Sequence, residues 1–137
     1  VMTGIYPPEL SLTSDEATVQ ANYLDLSIEI RNGKIHTSLF DKRDAFGFTI
    51  VNFPNLSGNI PEKQSYGVFV SQLIRYARCC PDLKDFRERT RKLVDRLVKQ
   101  NFTLHRLART FEKFAESHYE LLYKYGVHVC PACLCIR

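Results

Sequence analysis

Residues 23–40 carry two independent signals that agree with each other. Leu24, Leu26, Ile28 and Ile30 alternate with Tyr23, Asp25, Ser27 and Glu29, the period of two that marks a half-buried strand. Asn32-Gly33 follows, a pair favoured in type I′ turns because both central positions need positive φ. With that pair at the tip and a return strand over residues 34–40, Ile30 faces Ile35, Ile28 faces Thr37 and Leu26 faces Leu39. Glu29 then meets His36 on the other face. A slip of one residue would turn every apolar side chain to the wrong side, so turn and pattern select one register. The apolar face so formed (Leu24, Leu26, Ile28, Leu39) expects a further sheet to cover it.

The flanks are less ordered in pattern. Leu10 and Leu12 alternate with polar neighbours, a weak first strand, and residues 13–22 read as an exposed polar loop. Asp41-Lys42-Arg43-Asp44 is a charged turn. Phe46, Phe48, Ile50, Val51 and Phe53 form an apolar stretch that Pro54, Gly58 and Pro61 end, read as a linker with some strand.

From Ser65 the period changes. Phe69, Val70, Leu73, Ile74 and Ala77 recur at three- and four-residue steps until Cys79-Cys80-Pro81. Asp82 is suited to cap a second helix with the apolar face Leu83, Phe86, Leu93, Val94 and Leu97. Asn101 suits its C-terminal end, and Thr103 opens a third helix lined by Leu104, Leu107, Phe111, Phe114, His118 and Leu122, which Gly126 ends. The expected fold is α+β, a β-hairpin region over residues 1–62 followed by a three-helix bundle over 63–125. A cysteine-rich tail, 126–137, is expected to lack regular structure.

Charge divides along the same boundary. Residues 1–62 hold four basic and eight acidic side chains, while residues 63–137 hold fifteen basic and seven acidic. A net near −4 thus precedes a net near +8, and such a basic helical block suits a polyanion gripped by one part of the chain. Arg75, Arg78, Arg87, Arg89, Arg91, Lys92, Arg96, Lys99, Arg106, Arg109 and Lys113 are the candidate contacts. Each phosphate contact by such a group releases counterions, giving salt-dependent and sequence-blind affinity. The alternative is a solvated face with ion pairs to Glu88, Asp95, Glu112 and Glu116.

Sites for chemistry are sparse. No window approaches the ~18 apolar residues of a membrane span, and no basic, then apolar, secretory leader is seen at the start of the sequence. The five cysteines, at 79, 80, 130, 133 and 135, make a poor disulfide framework and point to reduced thiols in an intracellular compartment. Cys130, Cys133 and Cys135, with His128, are weak zinc candidates because a tetrahedral site needs a second, separated ligand pair. The four histidines have no neighbours that complete a triad, and no glycine-rich phosphate loop is present. No catalytic residue is assigned.

Particular strings then carry a resemblance. Ile5-Tyr6-Pro7-Pro8-Glu9-Leu10, Tyr23-Leu24-Asp25-Leu26, Asn32-Gly33-Lys34, Thr37 and Asp41-Lys42-Arg43-Asp44 come in that order. Ile50-Val51-Asn52-Phe53-Pro54, Asn59-Ile60-Pro61, Tyr66-Gly67-Val68 and Ser71-Gln72-Leu73-Ile74-Arg75-Tyr76-Ala77-Arg78 follow. Together they resemble the C-terminal palm and thumb of retroelement reverse transcriptases of the non-LTR and Penelope-like kind, over about residues 5–124.

The resemblance implies a palm-derived, primer-grip-like hairpin containing Tyr23, Leu24, Asp25 and Gly33, and a thumb-like bundle along a template–primer duplex. Lys42, Arg75, Arg78, Arg87, Arg91, Arg96, Lys99, Arg106 and Arg109 would then meet nucleic acid. The partners implied are an RNA or DNA template–primer duplex and the rest of the polymerase. The parent activity would be RNA-directed DNA synthesis with Mg²⁺. The family's metal-binding aspartate pair is missing, since the sequence has no Asp-Asp, so this chain is expected to bind without polymerising. A piece of a longer polypeptide is therefore expected. The alternatives left open are a small basic helical protein-interaction module and a minor zinc protein.

Overall fold

The computed structural model describes residues 18–126, apart from 49 and 51. Three antiparallel strands, β1 (Gln20–Tyr23), β2 (Leu26–Arg31) and β3 (Lys34–Leu39), form a meander in that spatial order. A short 3₁₀ turn (Lys42–Ala45) and an irregular linker lead into four helices, α1 (Glu62–Cys79), α2 (Leu83–Val98), α3 (Leu104–Ser117) and α4 (Tyr119–Tyr123). The class is α+β, as the two periodicities require.

The β2–β3 register is the one argued above, with Ile30 opposite Ile35, Ile28 opposite Thr37, Leu26 opposite Leu39 and Glu29 opposite His36. Asn32 and Gly33 both have positive φ, 51° and 70°, as a type I′ turn demands. Two expectations are corrected. Residues 23–30 are not one strand, because the chain reverses at Leu24-Asp25, so that Tyr23 pairs with Leu26. The polar stretch ending at Asn22 is also not all loop, since its last residues belong to β1. Leu24 takes φ 52° to make that turn, a conformation disfavoured by its Cβ. Its side chain is 80 % exposed rather than part of the apolar face. The strand expected around Leu10 and Leu12 lies outside the described residues.

The helical signals are met with one change. Asp82 Oδ1 accepts from the Asp85 amide at 2.8 Å, capping α2, and Asn101 adopts φ 67° between α2 and α3. The third helix breaks at His118 and resumes as α4. Phe69, Leu73, Phe86, Leu93, Leu97, Leu107, Phe114 and Leu122 fill the core among the helices. At the sheet only Leu39 is fully buried, 3 % exposed. Ile30 and Ile35 near the tip are 54 % and 72 % exposed. The hairpin root therefore docks on the helices and its tip projects from them. The expected covering sheet is replaced at the root by contact with α1.

Because apolar cover is thin, polar contacts hold the root. Asp41 accepts from the Arg43 amide at 3.1 Å and from the Arg43 guanidinium at 2.7–3.0 Å. That guanidinium lies 5.3 Å from the Phe53 ring centroid and donates to Asn52 Oδ1 at 2.9 Å. Arg96 reaches Asp44 at 3.2 Å and Asp41 at 3.7 Å. Arg89 pairs with Asp44 and donates to the Leu39 carbonyl at 3.2 Å. α2 is thus tied directly to the end of β3.

Burial pushes the Asp41 carboxyl up, but the hydrogen bonds and charge of Arg43, with the charge of Arg96, outweigh it and bring the pKa to about 2. A carboxylate whose folded pKa is depressed contributes stability above its unfolded pKa, and that contribution disappears as pH falls through the folded value. Between pH 4 and 2 the Asp41 contribution should therefore be lost, and Asp41→Asn should flatten the stability profile in that window. At neutral pH the same substitution should cost roughly 2–4 kcal/mol in chemical denaturation, since it leaves Arg43 without its partner.

Candidate nucleic-acid interface

Acidic side chains of the first half engage many of the basic helical ones. Arg75 pairs with Asp25 at 2.5 Å, Arg89 and Arg96 with Asp44, and Arg106 with Glu62. Glu29 pairs locally with Arg31. Every described acidic residue before position 63 is therefore in an ion pair: Asp25, Asp41 and Asp44 reach across to the helices, and Glu62, the first residue of α1, pairs with α3. Of the four carboxylates expected as helix-face partners, only Glu88 has a direct ion pair among the described residues, with Lys92.

The nine predicted contacts are distributed over several surfaces. Arg75 and Arg96 turn toward the sheet root and its corner. Lys42 is exposed at the start of the 3₁₀ turn. Arg78 is exposed in the last turn of α1, where the helix dipole favours a cation. Arg87 and Arg91 are exposed on α2, away from its buried residues Phe86, Thr90, Leu93, Val94 and Leu97, and Lys99 is exposed at its C-cap. Among the described residues Arg78, Arg91 and Lys99 have no ion pair. Of the hairpin residues, Tyr23 is exposed, Asp25 is held by Arg75, and Gly33 lies at the projecting tip.

Arg106 and Arg109 mark a groove between the start of α1 and one edge of α3. Lys63, Tyr66, Arg106, Arg109, Thr110 and Lys113 line a cavity of about 360 Å³. Residues 106, 109, 110 and 113 fall on one side of α3 by their three- and four-residue spacing. Tyr66 is buried at the base, its hydroxyl receiving the Thr103 amide at 3.3 Å. The Arg106 guanidinium lies 4.8 Å from its ring centroid, which covers the ring. Lys113 is among the candidate contacts of the sequence, whereas Lys63 is not. No sequence signal joins two lysines so far apart; only the α1–α3 packing does.

The candidate metal ligands contribute little. Among the described residues no three His, Cys, Asp or Glu side chains come together as a metal group, and Cys130, Cys133 and Cys135 lie outside those residues. Burial, then the Asp85 carboxylate, raises the Cys80 thiol far above its ordinary value, so it disfavours the thiolate a metal needs. Asp25, Asp41 and Asp44 each face an arginine and do not fit a two-metal phosphoryl-transfer centre. His118 stacks on Phe114 at 5.2 Å, a packing role. No helix described is long and apolar enough to cross a membrane.

Comparison with protein-family models, curated proteins and solved structures finds no match.

The division between engaged and unengaged cations predicts opposite phenotypes on one helix. Arg89→Ala removes contacts to Asp44, Asp85 and the Leu39 carbonyl and should cost about 1–2 kcal/mol, or roughly 3–8 °C in melting temperature. Arg91→Ala, on the exposed side of the same helix, should shift the melting temperature by less than about 2 °C.

Proposed function

We propose that this chain is a nucleic-acid-binding module equivalent to the C-terminal palm and thumb of a retroelement reverse transcriptase. It holds the backbone of a template–primer duplex and carries out no nucleotidyl transfer itself. The ordered strings over about residues 5–124 support the family reading. The observation that carries the binding reading is the set of cations left over after internal pairing. Arg91 on α2, Lys99 at its C-cap, Arg78 on α1, and the α1–α3 groove with Lys63, Arg109 and Lys113 all remain exposed.

Such groups suit phosphates, which position a duplex without reading its sequence. Arg75, Arg96 and Arg106 take a different role in this proposal: they fix the sheet and helices so that the remaining cations are presented in constant positions. The hairpin would hold a strand end at its root, where exposed Tyr23 sits beside the Asp25–Arg75 pair. Gly33 would contribute only through the turn it permits.

A fluorescence-anisotropy titration with an RNA–DNA duplex over a series of salt concentrations tests this. Three or four phosphate contacts should give a log K against log[salt] slope of about −3 to −4, and Arg91→Ala should make it shallower by about 1. Absence of duplex binding at low salt would defeat the proposal. So would salt-insensitive binding of an acidic protein in preference to the duplex.

A further inference from the structure

The geometry points to a discrete site for a terminal phosphate group in the groove between α1 and α3, with Lys63, Arg109 and Lys113 as its binding residues. Three features of the groove distinguish it from a solvated basic face. It is concave, about 360 Å³, large enough to admit a phosphate or diphosphate group. Its cations come from two different helices: Arg109 and Lys113 share one side of α3 by helical spacing, and packing brings Lys63 of α1 to meet them. And Lys63, Arg109 and Lys113 have no ion pair among the described residues, while Arg106 beside them is neutralised by Glu62.

The lining also defines what the site can read. Tyr66 is buried beneath the Arg106 guanidinium, which leaves no open aromatic face for a base to stack on. Thr110 donates its hydroxyl to the Arg106 carbonyl at 2.7 Å, so it offers an incoming ligand no proton. Donors in the groove therefore belong to the cations alone, and the matching ligand is rich in acceptors and charge. A phosphomonoester carries close to two negative charges at neutral pH and a diphosphate more, against one for an internal phosphodiester. Three unneutralised cations within one cavity suit the terminal group best.

This inference does not depend on the duplex-binding reading. A terminal phosphate can come from the end of a nucleic-acid strand or from a free phosphate compound, and the two sources are separable by experiment.

Isothermal titration of the full chain with inorganic pyrophosphate should give saturable one-to-one binding. The Lys63→Ala/Arg109→Ala/Lys113→Ala variant should weaken it by about a hundredfold or more, with an unchanged circular-dichroism melt. Lys34→Ala, at the hairpin tip and outside the groove, should bind pyrophosphate like the parent protein. Glu62→Gln frees Arg106 to face the ligand and should tighten binding by about two- to fivefold, a gain that damage to folding cannot produce.

Two oligonucleotides of the same sequence, one 5′-phosphorylated and one 5′-hydroxyl, then identify the source. A strand end is indicated when the phosphorylated form binds about tenfold tighter and pyrophosphate displaces it. A free phosphate compound is indicated when pyrophosphate binds and the two oligonucleotides are equal. Failure of both pyrophosphate and the phosphorylated strand to saturate the protein at millimolar concentration would overturn the site, as would binding that survives the triple substitution. Duplex binding through Arg91 would be untouched by either failure.

Discussion

The ionic corner formed by Asp41, Arg43, Asp44, Arg89 and Arg96 is what makes one body of a sheet and a helical bundle. A three-stranded meander with a single fully buried residue, Leu39, has too little apolar contact to stay in place by packing alone. The corner supplies the missing contacts where β3 ends, and Asp41 also caps the 3₁₀ turn that follows. Asp41 and Arg43 are largely withdrawn from solvent. Their pairing is stabilising only because the carboxylate is surrounded by several donors rather than one.

That corner also changes the meaning of the charge split. An acidic first half and a basic second half look, as numbers, like two surfaces with different external partners. In the fold much of the difference is spent internally, carboxylate by carboxylate, on contacts between the halves. The cations that remain are fewer, and they occupy separate places: the exposed side of α2, the end of α1 and the α1–α3 groove. A binding role has to be built from those groups, and the groove brings together the most of them.

How much of this could be read in advance follows from the range of each interaction. The β2–β3 register was legible because turn residues and alternation are local and agree. Asp82 was legible for the same reason. The Leu24-Asp25 reversal was not, because leucine has no preference for positive φ. β1 is exposed along its whole length, which leaves no alternation to detect. The break at His118 involves neither glycine nor proline, so no residue type in the sequence marks it. Apart from Glu88–Lys92 and Asp85–Arg89, the helical cations pair not with carboxylates one turn away but with Asp25, Asp41, Asp44 and Glu62, some 44–55 residues distant in sequence. Lys63 illustrates the same limit for the candidate site, since only the α1–α3 packing brings it to Arg109 and Lys113.

Native-state hydrogen exchange tests the central claim most directly, with the Phe40 amide as reporter. That amide donates to the Asp25 carbonyl at 2.8 Å at the sheet root, and the Leu93 amide lies within α2. If the corner joins sheet and helices into one cooperative unit, both amides should exchange through the same global opening at neutral pH. Asp44→Ala should then separate them, with Phe40 losing about 1–2 kcal/mol more protection than Leu93. Exchange of Phe40 far faster than Leu93 in the unaltered protein, or equal protection of the two after Asp44→Ala, would contradict the account.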